Sequence, residues 1–280
     1  MDSSYSLSKS KTSYPLTSVR FFAASLVLFH HSVRIFFPVF SGRSVHGGPE
    51  DMAGIVALAF PASASFFFFL SGYVLSFVYL HNVQTLDKGA FFAARFARLY
   101  PLYLAVLTLD TPELLVTEVR RYGLNIGLTK TAEIYAANVL MVQVWNPSRL
   151  LRINLPSWSL CGEVFFYACF PLLGVLLWKL RGAWLWVAAL TLYVGGQTLV
   201  WVMRRHLSLE MTLTLPPLHL STFALGILMA RGQTLQQKRN GKAPVRVSQV
   251  STVLGCRSAL FGGVHCWSPF LVYRLPTTTG

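Results

Sequence analysis

Charged residues are scarce in this chain of 280 residues, and acidic residues are the scarcest among them. Asp, Glu, Lys and Arg make up 12% of the sequence, with 10 acidic residues against 24 basic ones. A soluble domain usually carries about 25% charged residues. The low value excludes an ordinary soluble domain, and the hydrophobic share of 54% favours a protein that lies in a lipid bilayer.

Cysteine is also scarce, and internal repeats are absent. The four cysteines have no spacing typical of metal ligands: Cys161, Cys169, Cys256 and Cys266. No segment of about 20–50 residues repeats, which excludes a solenoid. The formal net charge of +14 could suggest a nucleic-acid partner, but the basic residues lie between apolar blocks and are better explained as loop charge. We therefore expect no bound metal ion and no nucleic acid.

Long apolar blocks are what the sequence has instead. A helix that spans a bilayer needs about 20 mostly apolar residues. Seven blocks approach this length, at about residues 16–37, 55–80, 99–117, 133–146, 158–180, 184–203 and 212–230. The first begins too late and is too long for a cleaved signal peptide. The fourth is short, so it either spans or is re-entrant. The sequence predicts an all-α, multi-pass bundle of six or seven transmembrane helices.

Basic residues between the blocks predict the orientation of the bundle. One group precedes or begins the first block and another follows the second: Lys9, Lys11 and Arg20, then Lys88, Arg95 and Arg98. The positive-inside rule places both groups in the cytoplasm, so we expect a cytoplasmic N-terminus in the cell membrane. A re-entrant fourth block would put the basic run at residues 231–246 on the same side. The rule therefore leans toward re-entrance.

The character of the chain changes after about residue 232. The segment that follows is polar and basic, and the apolar stretch at residues 258–275 is interrupted by His265, Pro269 and Arg274. We therefore predict a membrane domain at residues 1–232 and a weakly structured basic tail at residues 233–280.

A polar stripe runs along the first apolar block, "VRFFAASLVLFHHS" at residues 19–32. Each residue of an α-helix advances by about 100° and about 1.5 Å, so Arg20 and His31 share one face about 16 Å apart. His30 points about 80° away from Arg20, whereas Arg34 returns to the stripe. Ionisable groups are expensive in lipid, so the stripe faces the bundle interior or a wet cavity. The alternative is that Arg20 anchors the helix and a histidine bonds a neighbouring carbonyl.

Glu163 is an acidic residue embedded in the block at residues 158–180. A carboxylate in such a place should be neutral or paired, and its natural partners are His31, Arg34 or Arg20. A carboxylate bonded to the far nitrogen of a histidine would hold its tautomer and support the imidazolium formed in catalysis. The alternative is a structural ion pair between helices.

Arg95 and Arg98 are three residues apart and share a face if their segment is helical. With Arg20 they could gather positive charge at the inner membrane boundary, where arginine suits phosphate oxygens. Equally, they could anchor a helix to anionic headgroups. Ser71 and Gly72 would let two helices approach closely, with Ser71 as a candidate pocket residue.

Five segments in order carry a resemblance to a known family. The first is the arginine, ten residues and histidine of Arg20 and His31. The others are "FFFFLSGYVLS" at 66–76, "RFARLYPLY" at 95–103, "LPSWSLCGEVFFY" at 155–167 and "FALGILMAR" at 223–231. Together these segments resemble the acyltransferase 3 family of multi-pass membrane enzymes, over about residues 14–231.

The resemblance implies an enzyme that moves an acyl group, often acetyl, from acyl-CoA to hydroxyls of sugars and cell-surface glycans. It implies His31 and Glu163 as catalytic residues, and neither a metal ion nor a cofactor beyond the co-substrate. Arg20, Arg34, Arg95, Arg98, Ser71, Trp158 and Ser159 are implied to bind substrate. Members of the family usually have about ten membrane helices, so the resemblance also implies that the family's C-terminal helices are missing here.

Two other functional classes fit the same apolar blocks. A transporter or channel could use the stripe of Arg20, His31 and Glu163 as a proton or solute path, although no inverted repeat is visible. A seven-helix receptor or a structural membrane protein would not require these three residues together.

Overall fold

The computed structural model describes residues 52–80 and 87–241, together with Ser25, and gives side chains in the first range only from residue 63. All of residues 52–80 and 87–241 belong to one compact unit, residues 1–248. They form helices and no strands, which confirms the predicted all-α class. The helices are α1 (Met52–Tyr79), α2 (Lys88–Tyr122), α3 (Leu124–Val139), α4 (Ser157–Trp178), α5 (Ala183–Met203), α6 (Leu209–Thr214) and α7 (Pro216–Arg239), with a 3₁₀ turn at Gln143–Trp145.

Several of these helices are long and apolar enough to cross a membrane. In the described part of the chain they are α2, α4, α5 and the continuous stretch Leu209–Arg239, while α1 contributes the shorter apolar stretch Ser63–Tyr79. Helix α5 exposes Trp184 and Trp186 near its start and Trp201 near its end. Tryptophan is enriched at both membrane interfaces, so this helix fits a bilayer. The first apolar block, residues 16–37, lies outside the described residues apart from Ser25.

Local sequence signals explain where the helices begin and end. The Asp87 side chain accepts a hydrogen bond of 3.0 Å from the Ala90 backbone N–H and caps α2. Gly123, with φ of 79°, ends α2 in a conformation that other residues avoid. Pro216 stands at the start of α7, where its missing N–H costs nothing. Helix α7 continues to Arg239, past residue 232. The rest of the predicted tail, residues 242–280, lies outside the described residues.

The core is built from α1, α4 and α7, which run side by side in the same direction. At one end, Phe68 of α1 contacts the rings of Trp158 and His219, with centroids 5.9 and 5.3 Å apart. Further along, Phe166 of α4 stacks on Phe223 of α7 at 4.9 Å. At the other end, Arg231 lies over the Trp178 ring at 5.2 Å.

Helix α2 packs on this core in the opposite direction, since Phe91 stacks on Phe170 and Arg95 lies over Tyr167.

The directions of α2 and α4 decide how the segment between them runs. Because α2 and α4 are antiparallel, residues 123–156 begin and end toward the same end of the bundle. Helix α3 has only 16 residues, and after it Met141 takes a left-handed φ of 54° that turns the chain back. Arg152, beyond that turn, forms an ion pair with Glu118 near the end of α2. The segment therefore leaves and rejoins the bundle at the same end, and it does not connect the two opposite ends.

Glycines permit the closest approach in the core, between α1 and α7. A Cβ atom added to Gly72 would lie 2.1 Å from the Phe223 carbonyl oxygen, and one added to Gly226 would lie 2.1 Å from the Phe69 carbonyl oxygen. Real Cβ atoms do not come so near to backbone, so each helix needs a glycine where the other crosses it. The packing role predicted for Gly72 is confirmed.

This crossing gives a stability prediction. We expect Gly226→Ala to lower the free energy of unfolding by about 1–3 kcal/mol, because the added methyl group meets backbone that can move only by separating two helices. Gly232 lies on the same helix with no atom within 4 Å of an added Cβ, so it is the matched control. We expect Gly232→Ala to be stabilising by about 0.5–1 kcal/mol. Denaturant titration in detergent micelles measures both, and equal effects would contradict the crossing.

Candidate functional site

Glu163 lies in the core between α1 and α4, with only 4% of its surface exposed. Ser71 Oγ donates a hydrogen bond of 3.2 Å to Glu163 Oε1, and Tyr167 Oη donates one of 2.8 Å to Glu163 Oε2. Glu163 and Tyr167 are four residues apart on one helix and therefore share a face. The structure thus joins two of the predicted site residues, Ser71 and Glu163, across a helix interface.

Arg95 of α2 lies beside this carboxylate group in a cage of aromatic rings. Its guanidinium carbon is 5.2 Å from the Tyr79 ring centroid, 5.9 Å from that of Phe91 and 6.0 Å from that of Tyr167. Its Nη2 donates a hydrogen bond of 2.8 Å to Tyr79 Oη. Cation–π attraction and this bond hold the side chain in place. Tyr167 therefore contacts both Arg95, through its ring, and Glu163, through its hydroxyl.

One nitrogen of the Arg95 guanidinium group has no described partner. Its Nε is buried and has no hydrogen-bond partner among the described residues. Arg98, one turn further, is exposed on the same helix. The two arginines differ in their surroundings, because only Arg95 is held by aromatic rings. An anion bound here would meet one fixed and one flexible guanidinium group.

Trp158 and Ser159 lie one to two turns before Glu163 on α4. Trp158 is buried against Phe68 and His219, away from any lipid-facing surface. Ser159 Oγ donates a hydrogen bond of 2.9 Å to the Pro156 carbonyl oxygen, at the start of the helix. The described contacts place Trp158 in the same core as Glu163, whereas the Ser159 bond is local. Arg20, His31 and Arg34 lie outside the described residues.

Comparison with known proteins identifies the family. A model of the acyltransferase domain of the acyltransferase 3 family matches residues 15–277. The chain belongs to this family. The match extends beyond residue 231, where the motif resemblance was expected to end.

A curated relative is named as an acyltransferase. The chain is similar to "Acyltransferase MdmB" from Streptomyces mycarofaciens, with 29% identity over 235 residues, which is 77% of this chain and 56% of that protein. The acyltransferase 3 chain thus spans about half the length of this relative. No solved structure matches it significantly.

Three residues near the acyltransferase 3 motifs were not predicted from the sequence. Tyr167 could have been found, because it follows Glu163 by four residues and ends the quoted motif. His219 gave no signal in the sequence; its Nε2 donates a hydrogen bond of 3.0 Å to the Leu213 carbonyl oxygen, and its ring centroid lies 5.9 Å from that of Trp158. Glu118 is only 1% exposed, and its helical spacing from Leu107 and Leu114 is a sequence signal of burial that could have been used.

Among the described residues, no three His, Cys, Asp or Glu side chains form a group that could hold a metal ion.

Tyr167 gives a second stability prediction. We expect Tyr167→Phe to lower the free energy of unfolding by about 1–3 kcal/mol, because Glu163 Oε2 loses its donor while still buried. Tyr193 is the matched control, since it is exposed on α5. Tyr193→Phe should change the same quantity by less than about 0.5 kcal/mol. Equal values for the two variants would show that the Tyr167 hydroxyl does not stabilise the carboxylate.

Proposed function

We propose that this protein is a membrane O-acyltransferase that moves an acyl group, in the simplest case acetyl, from acyl-CoA to a hydroxyl of a sugar or cell-surface glycan. Its family and its similarity to "Acyltransferase MdmB" support this proposal. The alignment covers 56% of that relative, so the donor, the acceptor and the activity of this chain are proposals.

The single observation that carries the proposal is that Glu163 is buried and hydrogen-bonded but forms no ion pair among the described residues. The two ion pairs among the described residues are Arg149–Glu133 and Arg152–Glu118, and neither includes this carboxylate. Its described partners are two neutral hydroxyl donors, those of Ser71 and Tyr167. A carboxylate offers about four acceptor positions, so these two bonds leave room for an imidazole N–H.

His31 is proposed as the general base. It would take the proton of the acceptor hydroxyl, whose oxygen attacks the thioester carbonyl carbon. The carbon–sulfur bond then breaks, the acyl group stays on the acceptor as an ester, and the CoA thiolate leaves and takes up the proton from the imidazolium. Glu163 would bond the far imidazole nitrogen and support the positive charge that His31 carries during the reaction. Direct transfer of this kind uses no metal ion and no further cofactor.

The arginines are proposed to bind the donor. Arg95, Arg98 and Arg20 would hold the phosphates of CoA at the cytoplasmic side, since guanidinium groups suit phosphate oxygens. In an ideal helix Arg20 and His31 are about 16 Å apart along the axis, a distance that the extended arm of CoA can bridge. Arg34, Ser71, Trp158 and Ser159 would contact the acceptor or the acyl group. This arrangement requires a cytoplasmic N-terminus in a cell membrane.

The test offers labelled acetyl-CoA to membranes that contain the full chain and follows the label into glycan and lipid fractions. Membranes with Glu163→Gln provide the matched control, since the substitution keeps the shape and removes the charge. We expect label in an acceptor with the native chain and at least about tenfold less with the variant. Absence of label in every acceptor fraction, or equal labelling by the variant, would overturn the proposal.

A further inference from the structure

A groove of about 190 Å³ lies at the end of α2 that is farthest from Arg95. It is formed by the end of α2, by α3 and by the loop that precedes α4. Charged side chains dominate its lining, which includes Glu118, Arg121, Tyr122, Lys130, Arg149 and Arg152. In an ideal helix Arg95 and Arg121 are about 39 Å apart, so this groove is separate from the site around Glu163.

Two ion pairs form the walls of the groove. Arg152 pairs with Glu118 of α2, and Arg149 Nε donates a hydrogen bond of 3.0 Å to Glu133 Oε1 of α3. These pairs fix the loop against both helices and neutralise two of the four basic side chains. The shape of the groove is therefore built by the fold and does not depend on a ligand.

The other two basic side chains have no acidic partner among the described residues. Arg121 and Lys130 both stand over the Tyr122 ring, with the guanidinium carbon 5.6 Å and the ammonium nitrogen 4.8 Å from its centroid. Two like charges near one ring repel each other, and a bound anion would lower this repulsion. The lining carries four basic and two acidic residues, so its net charge is positive.

Glu118 supplies an independent observation. Its Oε1 accepts from Arg152, but its Oε2 is buried and has no hydrogen-bond partner among the described residues. A buried acceptor without a donor is costly, and a hydroxyl group of a ligand would satisfy it. The groove therefore offers positive charge for an anion and, beside it, an acceptor for a hydroxyl.

We propose that this groove binds a phosphate-type anion that also carries a hydroxyl group, as glycerol phosphate does. Such a group occurs in soluble polyol phosphates and in the headgroup of phosphatidylglycerol. Arg121 and Lys130 bind the phosphate oxygens, and Glu118 Oε2 accepts the hydroxyl. The proposal does not depend on acyl transfer, because none of these residues belongs to the site around Glu163.

The experiment uses the purified full chain in nanodiscs of phosphatidylcholine. Calorimetric titration with sn-glycerol 3-phosphate tests whether a soluble polyol phosphate binds. Titration with methyl phosphate, which has no free alcohol group, tests whether Glu118 accepts a hydrogen bond from the ligand. A second set of nanodiscs containing phosphatidylglycerol tests the lipid source through the midpoint of thermal unfolding. We expect saturable binding of glycerol phosphate, or a raised midpoint with phosphatidylglycerol, and weaker binding of methyl phosphate by at least about fivefold.

Variants decide whether the groove is responsible. Arg121→Gln with Lys130→Gln removes the two unpaired charges without breaking an ion pair, and we expect at least about a tenfold loss of affinity or loss of the midpoint shift. Arg204→Gln with Arg205→Gln removes two exposed charges after α5 and should change neither. Equal effects of the two double variants, no response to either source, or equal binding of methyl phosphate would overturn the proposal.

Discussion

Replacing His31 with alanine is expected to lower acyl transfer by at least about 100-fold, because the acceptor hydroxyl then has no base to take its proton. In an ideal helix Arg20 and His31 would share a face, and the ten-residue spacing of the motif that resembles the family's selects His31. The measurement is transfer of label from acetyl-CoA by membranes that contain equal amounts of each variant.

His30→Ala is the matched control for this prediction. Neighbouring positions of a helix differ by about 100°, so His30 cannot face the same cavity as His31. We expect this variant to retain most of the activity, with at most a loss of stability. Both variants need a check for equal membrane insertion, because a lost buried contact can imitate lost chemistry. Full activity of His31→Ala together with inactive His30→Ala would refute the assignment.

Arg152→Gln is expected to lower the free energy of unfolding by about 3 kcal/mol, because it leaves the charge of Glu118 buried without its partner. Glu118 is 1% exposed and Arg152 is 28% exposed in the structure. A buried carboxylate cannot recover its hydration when the guanidinium group is removed. Denaturant titration in detergent micelles measures the loss.

Arg149→Gln removes a similar arginine from the same loop. Its partner Glu133 is 49% exposed and remains hydrated after the substitution, so the expected loss is at most about 1 kcal/mol. Losses of the same size for Arg149→Gln and Arg152→Gln would show that burial of Glu118 does not decide the effect. Each variant also removes one of the two ion pairs that form the walls of the groove proposed for a phosphate-type ligand. The binding test therefore uses substitutions of Arg121 and Lys130 instead.

The sequence predicted the apolar helices well and their ends less well. The blocks at 158–180 and 184–203 correspond to α4 and α5 within a few residues, because apolar residues dominate both from end to end. The block at 99–117 is the middle of α2, which begins at Lys88 and ends at Tyr122, since charged turns continue a helix beyond the lipid-compatible stretch. The left-handed turn at Met141 could not be foreseen, because it depends on how the loop returns to α2.

The candidate site was also predicted only in part from the sequence. Burial of Glu163 followed from its apolar surroundings, and the bond from Tyr167 follows from helix geometry. The bond from Ser71 and the aromatic cage of Arg95 depend on how α1 and α2 pack against α4, which a periodic pattern does not specify. Glu118 was overlooked, although it follows Leu107 and Leu114 at helical spacing.

The glycine crossing between α1 and α7 also has a consequence for biosynthesis. The partners in this interface are far apart in the chain; Tyr73 and Gln233, which hydrogen-bond at its edge, are separated by 160 residues. Helices that insert one by one can pair only after both have left the ribosome. The groove around Gly72 therefore stays open while α2 to α5 are being made, and α7 closes it. The order of synthesis makes the formation of this core a late event, which follows insertion instead of accompanying it.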